Sequence, residues 1–351
     1  MATLEKIRTE LQYCRRPLIF FHDDPDGLCS FLLLYRMIAE GKGVVIKTHP
    51  RIDENFLRKV EEYQPDKVII VDIAMVDQEF IDRAKVPVIW IDHHAPLKRD
   101  KVIYHNPRAR DRSNNIPVSY LCYKITGKDL WISAVGAVGD WYMPDYIDEL
   151  RLKHPGLAPK GMKRPQDLLF RSKLGLLARI FAFCLKGKTT DVMKHVRVLT
   201  RIDSPEEILK QTTSRGRYIY RRYEQINKDY QKLLGEALKT RKDRLLVFTY
   251  TSDRMSFTGE LSNELIYRFP ETVIIIAREK SGEMKCSLRS SGRVQIDGIL
   301  KDALQEVEGY GGGHEYACGA VVKKDDFDRF ISSIREQLTK ENMHHEKKKS
   351  K

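Results

Sequence analysis

Residues 20–30 read "FFHDDPDGLCS". The run that leads into them, "PLIFF" (17–21), is continuously apolar, as a strand buried on both faces is. It then meets His22, Asp23, Asp24 and Asp26 before Gly27. The same ending recurs twice. "KVIIVD" (67–72) closes on Asp72, and "VIWIDHH" (88–94) closes on Asp92, His93 and His94. Helical patterns lie between these runs: "LCSFLLLYRMIAEG" (28–41), "NFLRKVEEY" (55–63) and "DQEFIDRAK" (77–85). Apolar strands alternating with helices predict a parallel sheet covered on both faces.

In an open parallel sheet the carboxyl ends of the strands line a common crevice, so these acids should converge. Residues 22, 24 and 26 alternate, and an extended segment would project them to one side. Gly27 permits a turn into a helix whose first amides suit an anion. Several carboxylates in one crevice must be protonated, paired or bound to cations. No Arg or Lys flanks the first two clusters in sequence. Mixed Asp and His ligands without thiolates point to hard or borderline divalent metals, among which Mn2+ takes both. Taken singly, Asp26 is a turn residue, Asp72 a helix cap and His93 a core histidine. At three strand ends together they read as a site. Asp140, closing the small-residue helix "AVGAVGD" (134–140), is a fourth candidate.

The chain has 351 residues and a formal charge of +13. That length suits two α/β domains: a parallel-sheet domain over 1–150 and a smaller domain over 244–340. A helical connector over 151–243 joins them, and a disordered basic tail, 341–351, follows. The connector region holds most of the excess, about +15 over residues 151–244, which suggests an anionic polymer as partner. No apolar run reaches the roughly 18 residues of a membrane span. The N-terminal residues lack a signal-peptide core, and the six cysteines are widely spaced, which predicts reduced thiols and a cytoplasmic protein.

Six motifs in order carry a family resemblance. "HDDPDG" (22–27), "VIIVD" (68–72), "IDHH" (91–94) and "GAVGD" (136–140) resemble the four motifs of the DHH phosphoesterases. "KCSLRSS" (285–291) and "GYGGGHEYACGA" (309–320) resemble the DHH-associated C-terminal domain with its GGGH signature. The likeness is greatest to short RecJ-like nucleases and oligonucleotide phosphoesterases, particularly archaeal ones. It implies two metal ions, usually Mn2+ with Mg2+ possible. His22, Asp24 and Asp72 would hold one. Asp26, Asp72, His93 and Asp140 would hold the other, with Asp72 bridging. His94 would face the scissile phosphate, and Asp92 would fix a histidine tautomer. This chain departs from some relatives in placing His22 two rather than four residues before Asp24.

In the C-terminal half, Gly311, Gly312 and Gly313 leave backbone amides open to a phosphate, His314 adds a donor, and the planar fork of Arg289 suits the same anion. The resemblance makes these the substrate-binding positions. Lys285 and Arg293 are weaker candidates, and Tyr310 could stack a base. The implied function is an Mn-dependent RecJ-like exonuclease on single-stranded RNA or DNA, or on short oligonucleotides, with possible replication or repair partners. Two alternatives stand beside it. One is a phosphatase or phosphodiesterase of small nucleotides, such as cyclic dinucleotides or an adenosine bisphosphate. The other is a replication-fork scaffold. Inorganic pyrophosphatases share the first four motifs but lack GGGH, and alanyl-tRNA synthetases share the GGGH module but need a synthetase core.

Overall fold

A computed structural model describes residues 2–47, 51–242, 244–252, 255–292 and 294–349. Five parallel strands form the first sheet: β1 (Pro17–His22), β2 (Lys42–Ile46), β4 (Lys67–Val71), β6 (Val88–Ile91) and β7 (Val102–His105). A two-residue pair, β3 (Arg51–Ile52) with β5 (Met75–Val76), stands apart. The order across the sheet is β2-β1-β4-β6-β7, so the chain reverses its direction of travel between β1 and β4. At such a switch point the flanking connections leave on opposite faces and open a crevice at the carboxyl ends. The register sets Phe21 beside Val71 and Val71 beside Ile91. The residues that follow each strand therefore emerge side by side.

One face of the sheet buries Leu18, Phe20, Ile70 and Trp90 against α3 (Leu57–Tyr63) and α4 (Gln78–Arg83). The other carries α2 (Pro25–Ile38), which packs against α5 (Val118–Thr126) and α6 (Leu130–Gly139). Glycines permit that packing. A Cβ on Gly136 would meet Ser119 and Cys29, and one on Gly139 would meet Pro25. The short α1 (Leu4–Gln12) precedes β1 and packs against α5.

The described residues form two units, Met1–Glu224 and Gln225–Lys351. The expected connector, 151–243, is divided between them. Helices α7 (Ile147–Lys153), α8 (Pro165–Arg171), α9 (Lys173–Cys184), α10 (Thr189–Leu199) and α11 (Pro205–Leu209) belong to the first unit. The reason is apolar: Leu174, Leu177, Phe181 and Phe183 of α9 are fully buried, and α9 lies on α6 and α2. The boundary falls within α12 (Ser214–Leu238).

The second unit is a six-stranded sheet ordered β12-β13-β11-β10-β9-β8. Its strands are β8 (Arg241–Lys242), β9 (Leu245–Thr251), β10 (Val273–Lys280), β11 (Glu283–Arg289), β12 (Gly309–His314) and β13 (Ala317–Lys323). Helix α13 (Thr258–Arg268) packs on β10 and β11, and α14 (Ile296–Ala303) packs against α15 (Phe327–Lys349). The latter runs through most of 341–351, which the sequence reading took as disordered. Glu, Met and Lys are good helix formers, and no Gly or Pro interrupts the run. All six cysteines are free and buried, and no helix of the described residues is long and apolar enough to cross a membrane.

Gly27 has a positional role of its own. A Cβ there would lie 2.6 Å from His22 O and 2.8 Å from His22 N, so only glycine lets α2 begin this close to the end of β1. Gly27→Ala is expected to destabilise the fold by about 1–3 kcal/mol through overpacking. It should also weaken divalent-metal binding, because it displaces His22. Thermal unfolding and metal titration of the variant check both.

Candidate metal centre

Each acid reaches the crevice by a different route. Asp24 is the N-cap of α2, where its Oδ1 accepts from Gly27 N at 2.8 Å. Its Oδ2 accepts from His22 Nδ1, also at 2.8 Å. Asp26 lies within the first turn of α2, so residues 22, 24 and 26 do not share one extended face as the alternation predicted. The helix begins at Pro25, whose fixed φ suits the first helical position. That start turns Asp26 toward α5. Its Oδ2 accepts from Val118 N at 2.8 Å, and its Oδ1 from Ser119 N at 2.9 Å and from the Ser119 hydroxyl.

Asp72 follows β4 with φ 57°, a left-handed conformation that Asp tolerates better than most residues. Its amide still donates to Ile91 O at 3.0 Å, so the bend redirects the side chain without breaking the sheet. The carboxylate then lies between two imidazoles. His93 Nε2 is 3.3 Å from Oδ1, and His22 Nδ1 is 3.5 Å from Oδ2. Asp140 caps the C-terminal end of α6, where the helix dipole disfavours a negative charge. It stands 3.7 Å from His93 Nδ1.

Burial by itself would lower both His22 and His93. The carboxylates of Asp24 and Asp72 around the first, and of Asp72 and Asp140 around the second, override it and raise both. Burial by itself would raise Asp72, but hydrogen bonding and charge from the two histidines hold it below the usual carboxylate range. Asp26 is pushed up by burial and then by Asp72 and Asp140, and Asp140 is pushed up by burial to about 6.

Three overlapping groups result: His22–Asp24–Asp72, Asp26–His93–Asp140 and Asp72–His93–His94, the ligand atoms of each within 4.8 Å of one another. Asp72 and His93 each belong to two of them. The donor set is oxygen and imidazole nitrogen without sulfur, as hard and borderline divalent ions prefer. Asp72 Oδ2 is buried and makes no hydrogen bond. An orphaned, desolvated carboxylate oxygen facing further carboxylates fits a cation. On these grounds the residues fit a divalent-metal centre, with each group able to hold one ion.

Asp92 plays a different part. It is fully buried. It accepts from His94 Nδ1 at 2.8 Å, from His94 N at 3.1 Å and from Asn106 Nδ2 at 3.3 Å. It therefore orients His94, leaves Nε2 to face outward, and sits outside all three ligand groups. Burial by itself would lower His94, but Asp92 raises it, so the ring favours the charged form with a donor at both nitrogens.

Sequence reasoning missed Asn106 and Ser119. Asn106 is buried and also donates to His94 O at 3.0 Å. Nothing in "YHNPR" (104–108) marks it, since strand β7 itself was not read. A signal for Ser119 existed: α5 starts after Pro117, which offers no capping oxygen, so its first amides need an acceptor from elsewhere.

A profile described as the DHH family, N-terminal domain, matches residues 16–138, and one described as the DHHA1 domain matches residues 228–340. The chain belongs to the DHH superfamily of metal-dependent phosphoesterases. Among solved structures it is similar to RecJ from Thermus thermophilus in complex with Mn2+, at 15% identity and TM-score 0.67, covering 96% of this chain and 55% of that one. The present chain thus spans about half of that RecJ. It is similar to a manganese-bound exonuclease RecJ at 16% identity and TM-score 0.63, covering 96% and 94% of the two chains. It also resembles a pGpG-specific phosphodiesterase, PggH, from Vibrio at 15% identity and TM-score 0.51, covering 93% and 99%. A comparison with curated protein sequences finds no match. At these identities the structural likenesses speak to fold.

In the DHHA1 domain, Gly309–His314 forms the edge strand β12, paired antiparallel with β13 from Gly309–Val322 to His314–Ala317. Alternating glycines allow it, because a Cβ at 309, 311 or 313 would lie within 2.6 Å of a β13 carbonyl oxygen. In an antiparallel ladder alternate residues bond inward, so the outer edge keeps free amides. Arg289 Nε donates to Asn263 Oδ1 at 2.7 Å and Nη1 to Leu288 O at 2.9 Å. It makes no ion pair among the described residues. Burial lowers it to about 10. Lys285 lies 3.6 Å from Glu283, Tyr310 is exposed, and Arg293 lies outside the described residues.

Protons on His22, His93, Asp26 and Asp140 compete with metal. All four are raised in the metal-free protein, so binding near neutral pH must release protons, and acidification must weaken it. Divalent-ion titration calorimetry in buffers of differing ionisation enthalpy is expected to show net proton release. It should also show at least a tenfold weaker Kd at pH 6 than at pH 8. A Kd constant across that range would contradict the assignment.

Proposed function

We propose that the chain is an Mn2+-dependent exonuclease that hydrolyses phosphodiester bonds of single-stranded nucleic acid or short oligonucleotides, with water as nucleophile. The observation that carries this reading is the sharing of Asp72 and His93 among three ligand groups, which leaves room for two ions close together. His22, Asp24 and Asp72 would hold one ion. Asp26, Asp72, His93 and Asp140 would hold the other. When bound, such a pair supplies Lewis acidity and a water of lowered pKa. The chain's own residues do the rest. Asp26 keeps a free lone pair on Oδ2 while three donors fix its direction. His94, oriented through Nδ1 by Asp92 and Asn106, offers Nε2–H to a non-bridging phosphate oxygen, where charge grows in the transition state. Within the second unit, Arg289, half-buried without an ion pair, suits a phosphate through its remaining nitrogen. Along Gly311, Gly312 and Gly313 the amides point outward at alternate residues, and these with the His314 side chain suit an anion there.

The solved RecJ structures hold Mn2+ or Mg2+, which favours the same ions here. The basic residues 151–244 favour a polymeric substrate. The second reading, cleavage of a small nucleotide such as a linear dinucleotide, draws on the pGpG phosphodiesterase, whose whole length this chain matches in fold. The intact donor set argues against a purely scaffolding role. Soluble cytoplasmic RNA or DNA, in contact with replication or repair proteins, is the setting this reading implies.

End-labelled RNA and DNA of about two to thirty nucleotides, digested with Mn2+ and then with chelator, decide between these readings. The expected result is a ladder shortening from one end, abolished by chelator and reduced at least a hundredfold by Asp72→Ala. Cleavage confined to dinucleotides would favour the second reading. No product from any substrate, with the protein folded, would overturn both.

A further inference from the structure

Part of the basic stretch 151–244 is paired within its own helices. Arg164 pairs with Asp167, Lys194 with Asp191 and Arg151 with Asp148, each within one helical turn. Lys186 and Arg222, together with Lys47 from the end of β2, differ. They converge on the turn that follows α9. Lys47 Nζ donates to Leu185 O and to Gly187 O, both at 2.9 Å. Arg222 Nη2 donates to Lys186 O at 2.6 Å. Gly187 makes this approach possible: its φ is +99°, and a Cβ there would lie 3.1 Å from Arg222 Nη2.

The cluster adjoins the metal centre through Asp23. That residue follows His22 directly, and its Oδ1 lies 3.6 Å from His22 Nε2. Among the charges acting on Asp23 are Lys186 and Lys47, and Lys47 in turn feels Lys186 and Arg222. Asp23 thus stands near Lys47 and Lys186, while Arg222 acts on Lys47 and on Asp191. Neither Lys47 nor Arg222 makes an ion pair among the described residues. Lys47 has a third ammonium hydrogen beyond its two carbonyl partners, and Arg222 Nε is buried without a hydrogen-bond partner. A structural role exists, since cations suit the carbonyl end of a helix. One cation would meet that need. Lys47 and Arg222 are half-buried, repel each other and make no ion pair among the described residues, a setting that suits a further anion.

We propose that Lys47, Lys186 and Arg222 form a phosphate subsite beside the metal centre, which receives a phosphate of the substrate chain other than the scissile one. The proposal rests on the reading of the chain as a phosphodiester hydrolase. Its consequence is selectivity for substrates with more than one phosphate.

The test measures two quantities on wild type, Lys47→Gln, Lys186→Gln and Lys47→Arg. One is the anisotropy of a labelled hexanucleotide in chelator, at several salt concentrations. The other is turnover of bis(p-nitrophenyl) phosphate, a diester with a single phosphate, with Mn2+. Each Gln variant is expected to bind the hexanucleotide about five- to tenfold more weakly. The slope of log Kd against log salt should flatten by about 0.7 per cation removed, the single-strand value. The loss on the one-phosphate ester should be at least fivefold smaller, and Lys47→Arg should retain the wild-type slope. Lys186→Gln, a second cation of the group, remains informative if Lys47→Gln unfolds. A helix-capping role alone would lower the melting temperature and leave the salt slope unchanged. That result, or equal losses on both substrates, overturns the subsite while the hydrolase reading stands. A wild type that turns over the one-phosphate ester but binds no hexanucleotide overturns the subsite together with the polymeric substrate.

Discussion

A carboxylate removed from water between two imidazoles is the contact on which this arrangement depends. Asp72 is almost fully buried, and a buried anion without partners is costly enough to neutralise or to disrupt its surroundings. His22 and His93 meet that demand, and they can do so only because β1, β4 and β6 are consecutive in the sheet. From the sequence, the acids must be protonated, paired or bound to cations. In the metal-free chain raised histidines supply part of the charge, so the crevice keeps its form before any ion arrives. The same histidines, once deprotonated, have the lone pairs a metal would take, which would tie metal uptake to proton loss.

Two acids of the motif set act on structure as well as on chemistry. Asp26 collects the first amides of α5, so one carboxylate both terminates a helix and faces the crevice. Asp92 turns inward to His94 and Asn106 and leaves the ligand groups altogether. The difference follows from backbone direction. Asp92 continues the line of β6, and its amide still bonds His105 O, whereas Asp72 is swung out by its left-handed φ. Neighbouring residues in one short motif thus divide into holder and held, which a linear pattern does not reveal.

What the sequence disclosed follows from local physics. Strands β1, β4 and β6 are apolar throughout because both faces are covered, and their terminal acids stand out against that background. The switch point could be inferred, since open parallel sheets bind at carboxyl ends. The rest is non-local. Asp26 meets Ser119 across 93 residues, and Asn106 reaches Asp92 from an edge strand with two exposed or half-exposed apolar positions and no clean pattern. The glycines of 309–313 stand out in the sequence as open amides, but nothing local marks them as a strand, because glycine weakens one. Only the close approach to β13 shows why a strand needs them there. Lys47, Lys186 and Arg222 were visible as charge, but their convergence depends on the turn after α9, far from β2 in sequence.

Those separations bear on how an acidic crevice takes an anionic polymer. Asp24, Asp26, Asp72 and Asp140 repel phosphate when uncompensated, and three imidazoles offset them only in part. A basic surface spread over distant helices would attract a polyanion but would be screened beyond about 8–10 Å at ordinary ionic strength. Lys47 and Lys186, whose charges act on Asp23, escape much of that screening because they are half-buried, and Asp23 directly follows His22. Lys47 after β2, Lys186 in the turn after α9 and Arg222 on α12 all lie in the first unit, so these cations belong to the same folded unit as the negative centre. The part of the basic stretch before residue 225 therefore joins the acids for an electrostatic reason as well as for the apolar one that buries α9.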